Sequence, residues 1–174
     1  MFMRARACHY ILYEVKMRFF MLDKITGWEV GVSARGVKCV SLSEDFFDDH
    51  FPGHPVMPGV LITEAMAQLG GLLLEDTCLR EYGKKIKAVL SIVDNMKFRS
   101  MAKPGDVLDI VCEITGGDEF CGRVKVKASA AERIVAQGTL VFAYLDEMDE
   151  ELEKKRAELL NFWKEGIEAK NERA

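Results

Sequence analysis

At 174 residues the chain is long enough to bury a sizeable core within one domain. Hydrophobic residues make up 49% and charged residues 30%, the balance of an ordinary globular protein and not of a disordered or fibrous one. Ten acidic and six basic residues from Asp146 onward account for the whole net charge of −4. Residues 1–145 then hold eighteen of each sign, which excludes a strongly basic nucleic-acid binder.

The first sixteen residues place Arg4 and Arg6 before Ile11, Leu12 and Val15, a faint export-signal pattern. His9 and Glu14 interrupt it and no small-residue cleavage site follows, so an extension over 1–16, or a start at Met17, is the reading preferred. Residues 17–23 form a short apolar opener, followed by 24–29, with Gly27 and Gly31 as punctuation. Residues 32–42 alternate as a strand. A loop over 43–59 follows, opened by the turn chemistry of Ser43, Glu44 and Asp45 ahead of Phe46-Phe47.

Residues 60–82 make the one long helix of the body, and Gly83 is placed to stop it. The stretch 56–74 has the length of a membrane span, but Pro58, Glu64, Gln68 and Gly70-Gly71 break it. A helix apolar nearly all round suits one enclosed by other elements, so no membrane association is expected. Strands are expected over 86–99, 106–115, 120–131 and 133–144. Lys103-Pro104-Gly105-Asp106 and Gly116-Gly117-Asp118 are strong turn signals between them, and Ala131-Glu132-Arg133 a weaker one. Residues 124–130 alternate cleanly, giving one wet and one buried face.

One helix followed by hairpin-connected strands predicts an α+β fold, a bent antiparallel sheet wrapped around one long central helix. Residues 146–173 read as an extra C-terminal helix with favourable Glu150–Lys154 and Glu151–Lys155 pairs. Its Leu152, Leu159, Leu160, Phe162, Trp163 and Ile167 could dock as a stripe on the body or a partner. The expected organisation is therefore an extension over 1–16, a body over 17–145 and a charged helical extension over 146–174.

The five cysteines, Cys8, Cys39, Cys78, Cys112 and Cys121, are odd in number, scattered and free of CxxC pairs. They read as free thiols of a reducing, cytoplasmic compartment and not as a disulfide framework or zinc site.

Three of the four prolines, Pro52, Pro55 and Pro58, stiffen the loop that presents His50. A lone histidine is more often a surface group than a catalyst, and a lone helical glutamate is usually solvated. Here Glu64 sits among Val60, Leu61, Ile62, Ala65, Met66 and Leu69, where burial would favour its acid form. Gln68, one turn on, can hydrogen-bond Glu64 or a bound water. His50 and His54 have an i,i+4 spacing, but Phe51-Pro52-Gly53 forbids the helix that metal binding would need. Pro58-Gly59 opens the helix, whose first amides have no intrahelical acceptor and could polarise a carbonyl oxygen. A base, an acid and an electrophilic site fit proton abstraction beside a thioester carbonyl with loss of a β-hydroxyl.

The run His50-Phe-Pro-Gly-His-Pro-Val-Met-Pro-Gly-Val-Leu61, then Glu64-Ala-Met-Ala-Gln68, closely resembles the (3R)-3-hydroxyacyl-acyl-carrier-protein dehydratases of type II fatty acid synthesis. Arg18-Phe-Phe-Met-Leu-Asp-Lys24 is similar to that family's N-terminal segment, and Lys97-Phe-Arg-Ser-Met-Ala-Lys-Pro-Gly-Asp106 to its second signature. The resemblance spans roughly 17–144 and implies the hotdog fold. It implies an active site between two subunits of a homodimer or a trimer of dimers, His50 of one chain meeting Glu64 of the other. By resemblance His50 is the base at C2, Glu64 delivers the departing hydroxyl as water, and the Gly59 amide holds the thioester oxygen. Val60, Gln68 and Phe51 are candidate substrate contacts beside it.

The resemblance implies no metal and no redox cofactor, and it implies acyl carrier protein as partner. Lys97, Arg99 and Lys103, with Lys84, Lys85 and Lys87, are candidates for docking that acidic carrier. A related branch that also isomerises the double bond has Asp where Glu64 stands, which favours the simple dehydratase. Asp48-Asp49 replace the family's common Gln-Gly pair, and the acidic C-terminal helix exceeds the usual family length. An acyl-thioester hydrolase, a polyketide-type dehydratase and a non-catalytic acyl-binding subunit remain as alternatives.

Overall fold

The structure, a computed structural model, describes residues 19–146 and 150–164; the expected extension over 1–16 lies outside them, as do Ile167 and the rest of 165–174. The elements follow the order β1 (Lys24–Glu29), β2 (Ser33–Cys39), α1 (Gly59–Tyr82), β3 (Lys87–Phe98), β4 (Val107–Gly117), β5 (Cys121–Ala130), β6 (Arg133–Leu145) and α2 (Glu150–Lys164). All six strands form one sheet in the order β1-β2-β4-β5-β6-β3, antiparallel throughout. The sheet packs on α1, as the strand and helix patterns predict. β1 and β3 are its edges.

Alternation sets which face is buried. In β5, Val124, Val126, Ala128 and Ala130 point inward while Arg123, Lys125 and Lys127 point out. Each inward residue meets an inward neighbour: Val124 lies opposite Ile114 and Leu140, and Val126 opposite Cys112 and Gly138. A fully buried aliphatic side chain contributes about 1.5–3 kcal/mol, so this interior is the main source of stability. Burial also pushes the Cys112 thiol far up, keeping it neutral.

Helix α1 is built from good helix formers and ends at Gly83, whose φ of 66° is the left-handed cap and whose amide donates to the Leu79 carbonyl at 3.1 Å. Gly70 and Gly71 in its interior each cost about 1 kcal/mol of helix propensity. In return the helix can lie close to the sheet. A Cβ on Gly70 would stand 3.0 Å from Val124 Cγ2, and one on Gly71 3.4 Å from the Phe142 ring.

Three expectations differ from what is observed. Gly116 and Gly117 belong to β4, paired with Arg123 and Gly122, and the turn is confined to the residues around Asp118. The Asp118 carboxylate accepts the amides of Phe120 and Cys121 at 2.8 and 3.0 Å, which lets the glycines stay extended. Lys38, read as part of an alternating strand, is only 5% exposed and faces inward beside Ala34 and Gly36. Its ammonium is satisfied by Glu44 at 2.6 Å and Asp23 at 3.7 Å, so it fastens the start of the 43–58 loop to β2.

The third concerns α2, where Phe162 does not share the docked face expected of it. Trp163 is buried, Leu160 is partly buried, and Phe162 points to solvent. The side chains of Leu152 and Leu159 lie outside the description. Lys164 reaches across, its Nζ 3.9 Å from the Trp28 ring centroid and 3.2 Å from Asp76 Oδ2. Asp76 also accepts the Trp28 indole N–H at 2.8 Å. This knot joins α2 to both β1 and α1.

Candidate active site

The loop from β2 to α1 is held at several points. Phe47 is buried and its ring lies 4.5 Å from that of Phe46. The His50 amide donates to the Phe46 carbonyl at 3.0 Å, and the Val56 amide donates to the His50 carbonyl at 3.0 Å. Phe51 and His54 exchange backbone hydrogen bonds of 3.2 and 2.8 Å, and the His50–Phe51 peptide is cis. The Met57 amide donates to the Ala102 carbonyl at 2.8 Å, tying the loop to the segment after β3.

The His50 ring is oriented by the same loop. Its Nδ1 lies 2.7 Å from the Val56 carbonyl oxygen, and a carbonyl can only accept, so Nδ1 carries the hydrogen. In the neutral imidazole this leaves the lone pair on Nε2. Phe51 stacks on the ring at 4.1 Å with an interplanar angle of 26°, and is itself largely exposed. The prolines and backbone bonds thus present one defined tautomer of a base.

Helix α1 carries Glu64. Positions 60, 64, 67, 68 and 71 lie on one stripe of a helix with 3.6 residues per turn. Glu64 on this stripe is half-buried, and its Oε1 accepts a hydrogen bond from Gln68 Nε2 at 2.8 Å. Gln68 Nε2 also donates to the Phe19 carbonyl at 2.9 Å, and Gln68 Oε1 accepts the Met21 amide at 2.9 Å. Every polar atom of Gln68 is engaged, so the amide is a fixed donor to Glu64.

Glu64 opens on a cavity of about 410 Å³. Ala67, Gln68, Gly71 and Leu72 continue its helix wall, and residues 87–90 of β3 face them. Phe19, Phe20, Phe142 and Trp163 complete a lining that is mainly apolar. The volume lies in the usual range for small-molecule sites. His50 is not among the lining residues. Glu64 and the cavity belong together in one chain, while His50 stands on the loop outside.

Gly59 begins α1 with the Phe98 ring against it, where a Cβ would stand 2.8 Å from the ring. Any side chain at this position would force that ring to move. Val60, the next residue, is 73% exposed. Phe98 beside Gly59, and Phe51 and Met101 of the flanking segments, are likewise apolar and exposed. The sheet leaves the Val60–Glu64 stripe uncovered.

The basic candidates separate into two groups. Lys97, Arg99 and Lys103 are exposed at the end of β3 nearest Gly59. Lys87 lies at the other end of that strand, roughly 30 Å away at 3.3 Å per residue. There Lys84 pairs with Glu119 and lies 5.7 Å from the Phe120 ring, while Lys87 pairs with Glu75 at 3.6 Å. The six lysines and arginines cannot form one patch.

Two residues that organise the site escaped the sequence reading. Phe98 backs Gly59, a contact that no local pattern announces. Arg133, read as turn chemistry, bonds to the Asp106 carboxylate and to Ser100 Oγ and so shapes the segment carrying Arg99 and Lys103. Burial alone would raise Asp106, but the Arg133 and Lys103 hydrogen bonds and the Arg133 charge outweigh it and hold the carboxyl below its usual value. A depressed carboxylate contributes stability above its unfolded value of about 3.9, lost as pH falls through the lower folded value. Both partners are partly exposed, so Arg133→Met should cost about 0.5–1 kcal/mol at pH 7 in urea unfolding. The gap to wild type should narrow below about pH 4; a gap constant with pH would remove the ion pair from this account.

Comparison with known proteins fits this geometry. Residues 14–142 match the family model described as the FabA-like domain. The chain is 39% identical over 125 residues to the 3-hydroxyacyl-acyl-carrier-protein dehydratase FabZ of Caldicellulosiruptor saccharolyticus, covering 72% of this chain and 87% of that protein. It is 40% identical over 134 residues to the FabZ of Acetivibrio thermocellus, covering 75% and 88%. In fold it is similar to a hot-dog-like protein from Thermanaerovibrio acidaminovorans, with a TM-score of 0.56 at 22% identity over 75% of this chain and 90% of that one. A sheet wrapped on one helix, the long loop motif and this breadth of similarity agree: the chain is a hotdog-fold member of the FabA-like family, among the 3-hydroxyacyl-acyl-carrier-protein dehydratases.

Proposed function

We propose that the protein is a hydro-lyase of fatty acid biosynthesis, converting (3R)-3-hydroxyacyl thioesters on acyl carrier protein into trans-2-enoyl thioesters. The observation that carries the mechanism is Glu64, a carboxyl fixed by Gln68 at the mouth of an apolar cavity able to hold an acyl chain. His50 Nε2 removes a proton from C2. The electron pair forms the C2–C3 double bond as the C3–O bond breaks, and Glu64 in its acid form protonates the leaving hydroxyl to water. The charge that develops on the thioester oxygen is met by the Gly59 amide at the first turn of α1. Return of the proton from His50 to Glu64 resets the site, so the reaction needs only these side chains.

The complete site is formed by two copies of the chain, His50 of one meeting Glu64 of the other. Three observations support this. His50 stands outside the cavity that its own Glu64 opens on. Val60, Phe51 and Phe98 leave an apolar surface beside the loop. β3 is an edge strand with Ile92 and Val93 exposed, a strand that a second copy could cover.

The carrier is placed at Lys97, Arg99 and Lys103, the basic group at the Gly59 end of β3, since a thioester delivered there enters beside the base. A cytoplasmic location agrees with the free thiols of Cys39, Cys78, Cys112 and Cys121. No helix among the described residues is long and apolar enough to cross a membrane.

His50→Ala and Glu64→Gln should each lower kcat on a 3-hydroxyacyl carrier substrate by at least about a hundredfold, with unfolding curves unchanged. Near-normal turnover by either variant would remove that residue from the mechanism, and release of free thiol in place of enoyl product would reveal a hydrolase. Replacing Lys97, Arg99 and Lys103 together by Ala should raise KM for the carrier-bound substrate roughly tenfold while sparing the pantetheine thioester. An equal effect on both substrates would move carrier docking elsewhere.

A further inference from the structure

Helix α2 lies beyond the residues that match the family, which end at 142, yet it reaches the cavity. Trp163 is 5% exposed, lines the same space as Glu64, and meets Phe20 edge-on at 5.6 Å and 88°. Its neighbour Lys164 is held at Asp76. Along α1 the cavity wall runs from Glu64 to Leu72, about 12 Å at 1.5 Å per residue, and Asp76 lies one turn further. Lys164 thus anchors Trp163 toward the Asp76 end of that wall.

We infer that Trp163 is the end wall of the acyl cavity and sets the longest chain this enzyme accepts. The inference rests on the dehydratase reading for the identity of the ligand, and on geometry alone for the position of the wall. With carbon–carbon bonds of about 1.5 Å projecting roughly 1.3 Å along an extended chain, ~12 Å takes on the order of eight to ten carbons. Longer tails would have to displace an indole fastened on one side by Phe20 and, through Lys164, by Trp28 and Asp76. A pocket that rejects surplus methylenes by steric fit discriminates by about tenfold or more.

The test compares wild type with Trp163→Ala and Trp163→Phe on hexanoyl, decanoyl and palmitoyl members of the 3-hydroxyacyl carrier series. Binding of the matching saturated acyl pantetheine thioesters, which have no hydroxyl to lose, is measured in parallel. Wild type should favour the decanoyl over the palmitoyl chain by about tenfold or more in kcat/KM and in affinity. Trp163→Ala should bring that ratio within about twofold, and Trp163→Phe should fall between. An unchanged palmitoyl-to-decanoyl ratio in Trp163→Ala would overturn the inference. If wild type dehydrates none of the series, the dehydratase reading fails on its own, and the binding profile still decides the role of Trp163.

Discussion

The hydrogen bond from Gln68 to Glu64 is the contact on which the site depends. It fixes a carboxyl on the one stripe of α1 that the sheet leaves uncovered. A polar group on an apolar helix is costly unless it is hydrogen-bonded. Gln68 meets that cost while its other bonds, to the Phe19 carbonyl and the Met21 amide, draw the N-terminal segment over the cavity. The orientation of the Glu64 carboxyl and the N-terminal part of the cavity lining thus come from one side chain.

The remaining architecture positions partners for that acid. Gly70 and Gly71 let α1 lie close to β5 and β6, so the sheet supports one side of the helix and leaves the other open. Lys38 and the buried Phe47 anchor a loop whose backbone selects the Nδ1–H tautomer of His50. Phe98 backs Gly59 at the first turn of α1. The molecule holds the loop that presents His50 at several points and leaves apolar surface exposed beside it, where we propose that a second copy docks.

Much of this was legible in the amino-acid order because the signals are local. The period-two pattern of β5, the Gly83 stop and the Pro-rich loop each reflect constraints within a few residues. The Gln68–Glu64 contact followed from i,i+4 spacing. Lys38 was not legible, since its pairing with Asp23 and Glu44 depends on which face of β2 the sheet buries. Arg133 and Phe98 act on segments about thirty or forty positions away, a distance that no local pattern spans. The two basic groups looked like one candidate patch until the extended β3 set them at opposite ends. Of the C-terminal helix, its existence was plain from composition, but which residues docked depended on the Trp28–Asp76 pair that receives Lys164.

The claim that joins these observations is that neither chain alone holds both proton-transfer groups. Mixing the His50→Ala and Glu64→Gln proteins under conditions that exchange subunits tests it directly. With random reassortment half of the pairs are mixed, and each mixed pair rebuilds one intact site of two, so activity should return to about a quarter of wild type. If base and acid instead came from the same chain, every site in the mixture would lack one of them, and activity would stay at the level of the separate variants.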